Sequence, residues 1–177
     1  AYYIDRAAKL KLTLKYIICT HSHHDHVNGN DHIIEQLGIE VIMYQDAAYF
    51  FDIEVKDGDI FKLGTLDLRI IHTPGHCQDG MCILMENKLI TGDTLFVGKV
   101  GGTDLDEGAR LEYESLQQLM QLDENLEVYP GHDFGAQPSS TIGYEKRNNP
   151  FILQPTLEDF VHLKANWVAY KAEHGIE

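Results

Sequence analysis

The chain is poor in cysteine, proline and tryptophan, with three, five and one among 177 residues. Cys19, Cys77 and Cys82 are odd in number and lack the paired spacing of a thiolate zinc site. They argue for reduced structural thiols and a cytoplasmic setting, not for a disulfide framework. Cys77 directly follows His76, but a reactive role would require a lowered thiol pKa. No apolar run approaches the ~20 residues of a membrane span, and the chain opens on a charged helical pattern, not a signal peptide. No membrane partner is expected. Positive charge is scarce: 14 Lys and Arg against 28 Asp and Glu give a formal net charge of −14 with His neutral. Nucleic acid needs a basic face and is not an expected partner. With 177 residues and 44% hydrophobic content, one domain over 1–177 with a sizeable core is expected.

Histidine, by contrast, is concentrated. Residues 20–26 read Thr-His-Ser-His-His-Asp-His. His21, His23, Asp25 and His26 place four potential metal ligands within six positions. They follow the apolar run Tyr16-Ile17-Ile18-Cys19, which reads as a buried strand. Residues i and i+2 of an extended segment point the same way, so His21 and His23 can bind one ion together. Asp25 and His26, past the bend, can face a second. His24 fits neither set and reads either as exposed or as an outer partner of a ligand.

Three later segments repeat one pattern of strand, small turn residue and ligand. His76 ends Thr73-Pro74-Gly75-His76, after the alternating strand Leu66 to Ile71. Asp93 lies in Thr91-Gly92-Asp93-Thr94, after Leu89-Ile90. His132 lies in Tyr129-Pro130-Gly131-His132-Asp133, after Leu126-Glu127-Val128. Pro-Gly favours a tight turn, which presents the following residue at a strand end. Five His and two Asp suit two divalent ions, one on three His, the other on two His and an Asp, with one carboxylate bridging. Nitrogen and oxygen donors without thiolate favour Zn, Fe or Mn at such a site, with Zn the first expectation.

His-x-His-x-Asp-His followed by spaced His, Asp and His resembles the signature of the metallo-β-lactamase fold, along nearly the whole chain. The nearest likeness is to glyoxalase II-like (hydroxyacylglutathione) hydrolases. Thr91-Gly92-Asp93-Thr94-Leu95-Phe96 looks like their bridging-Asp strand, and Tyr129 to Asp133 like their last-ligand strand. Pro138 to Ile142, then Asn149-Pro150-Phe151, looks like their C-terminal segment. The resemblance implies an α/β protein built as an αββα four-layer sandwich. It implies His21, His23 and His76 on one metal, Asp25, His26 and His132 on the other, and Asp93 bridging. Members of that group usually have two or three strands before the first helix. This chain opens almost at once in a helix, so those first strands are expected to be lacking. The glutathione features also depart. Gly98-Lys99-Val100-Gly101-Gly102 stands where a Gly-Cys-Gly-Lys/Arg stretch is usual, and Leu163 to Trp167 lacks the usual basic pair. Lys99, Lys146 and Arg147 are the candidates for an anionic substrate.

Periodicity places a helix over 1–14, with Tyr3, Ala7, Leu10 and Leu14 apolar, and a strand over 16–20. A second helix is expected over 29–37, capped by Asn28 or Asn30, then a strand from Glu40 to Tyr44. Residues 59–72 read as two strands turning at Gly64-Thr65. Residues 81–85 and 88–92 read as a hairpin turning at Glu86-Asn87. Helices are expected over 109–122 and 156–173, the latter with Trp167 packed into the core.

Two ions about 3.5–4 Å apart lower the pKa of a shared water towards neutrality and stabilise a developing oxyanion, with Asp25 to orient that water and relay its proton. A thiolate leaves readily, so hydrolysis of a small-molecule thioester, as the resemblance implies, is the expected reaction. Two other readings remain. One is a mononuclear iron enzyme similar to the persulfide dioxygenases, on His21, His76 and Asp93. Gly75-His76-Cys77-Gln78-Asp79-Gly80 and Gly102-Thr103-Asp104 resemble that group, although it carries Arg where this chain has Gly102. The other is a non-catalytic metal-binding fragment.

Overall fold

The computed structural model describes residues 2–135 and 137–176. Helix α1 (Tyr2–Lys9) leads to strand β1 (Tyr16–Ile18). A histidine-rich loop follows, closed by the one-turn helix α2 (His24–Val27) and by α3 (Asn30–Leu37). Strands β2 (Glu40–Tyr44) and β3 (Ile53–Val55) join β1 in a parallel sheet of order β1-β2-β3. Then come β4 (Ile60–Leu63), β5 (Leu66–His72), β6 (Met81–Met85) and β7 (Lys88–Gly92), an antiparallel meander. A small hairpin, β8 (Leu95–Phe96) and β9 (Lys99–Val100), precedes helix α4 (Glu107–Leu119). Strand β10 (Glu127–Pro130) adds to β7 in parallel, and β11 (Ser140–Thr141) adds to β10. The second sheet therefore has the order β11-β10-β7-β6-β5-β4. Helices α5 (Ile142–Asn148), α6 (Leu157–Ala165) and α7 (Trp167–His174) end the described chain.

Strand alternation explains the layers, because successive side chains point to opposite faces. Ile42, Tyr44 and Val55 of the first sheet meet Leu68, Ile70, Met81 and Ile83 of the second. Val41 and Met43 point the other way and pack with Val27 and with Ile34 of α3. On the far face of the second sheet, Ile71, Cys82, Leu89 and Val128 pack with Leu116 and Leu119 of α4, Ile142 of α5 and Phe160 of α6. The order is helix, sheet, sheet, helix: the αββα sandwich of an α/β fold. Leu89, Leu116 and Leu119 are fully buried, and truncating one to alanine costs about 2–5 kcal/mol. Thr141 and Thr156 cap α5 and α6 by accepting backbone N–H bonds from Tyr144 and Asp159.

Several expectations need correction. The helix expected over 1–14 stops at Lys9. Lys11 takes a left-handed φ of 54°, and the Leu12 N–H bonds back to the Ala7 carbonyl at 2.9 Å. Of its apolar positions Ala7 is buried, whereas Tyr3 and Leu10 are exposed; residue 1 lies outside the described residues. The N-cap of α3 is Gly29, not an asparagine. Asn30 lies inside the helix and donates to Cys19 Sγ at 3.2 Å instead. The single helix expected over 156–173 is two, broken at Asn166, whose N–H and side chain both bond back to the His162 carbonyl. Both hairpins turn where expected, at Gly64 with φ 63° and at Glu86 with φ 53°.

Candidate metal centre

Four strands end at one edge of the sandwich and deliver the candidate ligands there. β1 releases the loop carrying His21 and His23, and α2 turns Asp25 and His26 back over it. β5 ends before His76, β7 before Asp93 and β10 before His132. β5 and β7 are each antiparallel to β6, so they run in the same direction and end together. β10 lies parallel to β7 with Pro130 opposite Gly92, and the Gly131 N–H bonds the Gly92 carbonyl at 2.8 Å. That register sets Asp93 beside His132. The two sheets are tied at this edge by the Met81 N–H donating to the Thr20 carbonyl at 2.9 Å.

The seven side chains converge. His21, His23 and His76 bring one ligand atom each within 4.8 Å of one another, and so do Asp25, His26 and His132. His76 Nε2 lies 2.9 Å from His23 Nδ1, and His26 Nε2 lies 3.1 Å from His132 Nε2. Two donors held about 2.0–2.1 Å from one ion stand close to those separations. Asp93 faces both sets: its Oδ1 is 3.3 Å from His26 Nε2, and its Oδ2 is 3.4 Å from His132 Nε2 and 3.7 Å from His76 Nε2. His21, His26 and Asp93 make a third such grouping. His21 Nε2 and Asp93 Oδ1 are buried with no hydrogen-bond partner among the described residues. A buried donor atom left without a partner is costly, and a divalent cation between these atoms removes that cost. The residues fit a metal.

The electrostatics agree. Burial, reinforced by the imidazoles of His26, His76 and His23, lowers His21 to about 3. Burial likewise lowers His76, partly offset by its bond to Gly102. Neutral rings are what a metal takes up. The His76 Nδ1–H donates to the Gly102 carbonyl at 2.7 Å, which leaves Nε2 as the free ligand atom. Thr20 Oγ1 stands 3.2 Å from His21 Nδ1 and orients that ring in the same way. Asp25 is exposed; a hydrogen bond from its own backbone and the nearby imidazoles of His26 and His132 hold its carboxyl below the usual range. His24 is exposed and belongs to none of the three groupings.

Beside the cluster opens a cavity of about 450 Å³ lined by Val97, Lys99, Phe134, Tyr144, Asn148 and Pro150, among others. Phe134 stacks on His132, ring centroids 4.7 Å apart at 11°, and so forms the wall between cavity and cluster. Lys99 Nζ donates to the Phe134 carbonyl at 2.6 Å. Lys146 and Arg147 are spoken for, both paired with Glu124. Burial, with Asp79 accepting from the Cys77 thiol at 2.6 Å, pushes that thiol up to about 12, which disfavours the thiolate a nucleophile needs. Sequence reasoning missed Thr20, Phe134 and the Gly102 carbonyl. Only Thr20, adjacent to His21, carried a local signal.

The family model of the metallo-beta-lactamase superfamily matches residues 4–132. The probable polyketide biosynthesis zinc-dependent hydrolase BaeB of Bacillus velezensis is 32% identical over 169 residues, covering 90% of this chain and 75% of that protein. A hydroxyacylglutathione hydrolase of Francisella tularensis subsp. novicida is 38% identical over 132 residues, covering 72% of this chain; this chain thus spans about half, 52%, of that protein's length. Among solved structures, ETHE1 from Myxococcus xanthus superposes with a TM-score of 0.87 at 33% identity, covering 94% of this chain and 75% of that one. A metallo-beta-lactamase from Staphylococcus aureus gives 0.79 at 27% identity, covering 90% and 54%. Sandwich, ligand edge and sequence similarity agree: this chain belongs to the metallo-β-lactamase superfamily.

Proposed function

We propose that this chain is a metal-dependent hydrolase that holds two divalent ions and cleaves a small-molecule thioester to a carboxylic acid and a thiol. One observation carries the reading: two three-residue ligand groups meet at Asp93, whose two carboxylate oxygens face both. His21, His23 and His76 would hold one ion, Asp25, His26 and His132 the other, with Asp93 shared. When bound, such ions supply a water of lowered pKa and polarise a carbonyl oxygen. Zinc suits the donors, and the name of the similar Bacillus hydrolase supports it.

The chain's own groups do the rest. Asp25, ionised and 3.2 Å from His132 Nε2, orients the attacking water and takes its proton. Phe134 and the walls of the cavity shield the acyl group from bulk water. Lys99, the cation of that cavity, holds an anionic thiol carrier. The thiolate leaves without an acid. Similarity to the hydroxyacylglutathione hydrolases favours a glutathione thioester. Three free cysteines suit a reducing, cytoplasmic setting. The test is turnover of S-acylglutathione beside acyl-coenzyme A by the zinc-loaded chain. Preference for the glutathione ester supports the reading, and no thioester cleavage at all contradicts it.

The second reading, an iron enzyme acting on a persulfide, rests on the Gly75-His76-Cys77-Gln78-Asp79-Gly80 stretch. Its ligand set, His21, His76 and Asp93, is not among the three groupings that the described residues form. Oxygen uptake on a persulfide would favour it.

A further inference from the structure

Lys164 of α6 and Glu112 of α4 form an ion pair shut off from solvent, their side chains 6% and 0% exposed. Hydrolysis as proposed above uses neither. Nor is stability an adequate reason for the pair. A buried ion pair regains little more than the hydration it gives up, and here Glu112 Oε1 has no hydrogen-bond partner among the described residues. Burial pushes the Glu112 carboxyl up, with Lys164 pulling it back. The pair is therefore costly to keep, and its surroundings show what it holds.

Both partners brace the segments around His76. On one side, Lys164 Nζ donates to the Gly101 carbonyl at 2.7 Å. The next carbonyl along the chain, that of Gly102, accepts the His76 Nδ1–H. Gly101 packs closely against the imidazole: a Cβ there would come within 2.9 Å of His76 Cγ and Nδ1, and closer still to the Asp93 carbonyl. On the other side, Gly75, with φ 142°, presses against the backbone and Cβ of Glu112, leaving no room for a side chain. One turn further on, Ser115 Oγ donates to the Pro74 carbonyl at 2.8 Å. Helix α4 thus holds the residues that precede His76, and α6 holds the loop behind its ring. Glu112–Lys164 locks the two helices together at that point. Removing the pair would free the loop behind His76 and the angle at which Nε2 points towards His23 and Asp93.

We infer that Glu112 and Lys164 are positioning residues for the metal centre, fixing the tautomer and aim of His76 through the Gly101-Gly102 loop. The inference rests on His76 being a ligand, as proposed above. The test measures cobalt(II) affinity of the full chain by chelator competition, together with the visible cobalt spectrum and the thermal midpoint. The variant is Glu112→Leu/Lys164→Met, because an apolar replacement of similar volume usually keeps or raises stability. The expected result is an unchanged or higher midpoint with cobalt affinity lower by about 10–100-fold, the range for lost outer partners of a ligand, and a shifted spectrum. Affinity and spectrum within about twofold of wild type would overturn the inference and leave the pair structural. Should the double variant not fold, Lys164→Gln, too short to reach both partners, decides by the same readings; if neither folds, the pair is a stability element and the inference falls. Wild type that takes up no cobalt would overturn the metal-centre reading itself, a separate outcome from equal uptake by wild type and variant.

Discussion

His26 Nε2 and His132 Nε2 stand 3.1 Å apart although 106 residues separate them in sequence. Imidazole nitrogens that meet at this distance need either one shared proton or a cation between them. Asp93 Oδ1, 3.3 Å from the same His26 nitrogen, supplies negative charge to that point. The arrangement fits the metal site proposed above.

Asp93→Ala is therefore expected to lower the occupancy of both ions, because one carboxylate faces both ligand groups. Activity should fall at least about 100-fold with it. Elemental analysis of the variant beside wild type checks this; normal loading of two ions would show the groups to be misassigned.

His24→Ala, inside the same histidine run, is expected to change metal content and turnover by less than about twofold, as for a surface substitution. Its side chain is exposed and joins no ligand grouping. A large loss would mean that the loop's ligand register is shifted.

Lys99→Met should raise KM for an anionic thioester by about tenfold with kcat nearly unchanged, as for loss of uniform binding. The reason is its place in the cavity beside Phe134, away from the ligand cluster. Initial rates against substrate concentration settle it; an equal fall in kcat would put Lys99 in the chemistry instead.

The metal-free protein should lose stability in mild acid. His21 is lowered to about 3 in the fold by burial, against about 6.5 when unfolded. Between those values the unfolded chain binds the extra proton, so stability is fully present above about 6.5 and declines as pH falls. His76 is lowered in the same direction. Urea midpoints of chelator-treated protein at about pH 7 and about pH 5 read the slope, and His21→Asn should flatten it. A midpoint that rises on acidification would contradict the burial of a neutral His21.

The candidate ligands were legible from local patterns: His21, His23, Asp25 and His26 from their density within six positions, and His76, Asp93 and His132 from the apolar run and small turn residue before each. The hairpin turns at Gly64 and Glu86 were legible for the same reason. Part of what sequence did not reveal depends on distant contacts. The β7–β10 register that sets Asp93 beside His132 involves residues far apart in the chain. So does the stacking of Phe134 on His132, which needs the chain beyond β10 to fold back. The break at Asn166 is local, but α6 and α7 share one continuous helical period, and periodicity cannot show it. Helix α5, seven residues with Glu145 buried at its centre, carries no apolar stripe to announce it.

The most direct test of the central claim is metal content of protein purified without added metal, with thioester hydrolysis measured on the same sample. Close to two zinc-type ions per chain with S-acyl thiol turnover is the predicted result. A single iron per chain, oxygen uptake on a persulfide and no thioester cleavage would contradict it.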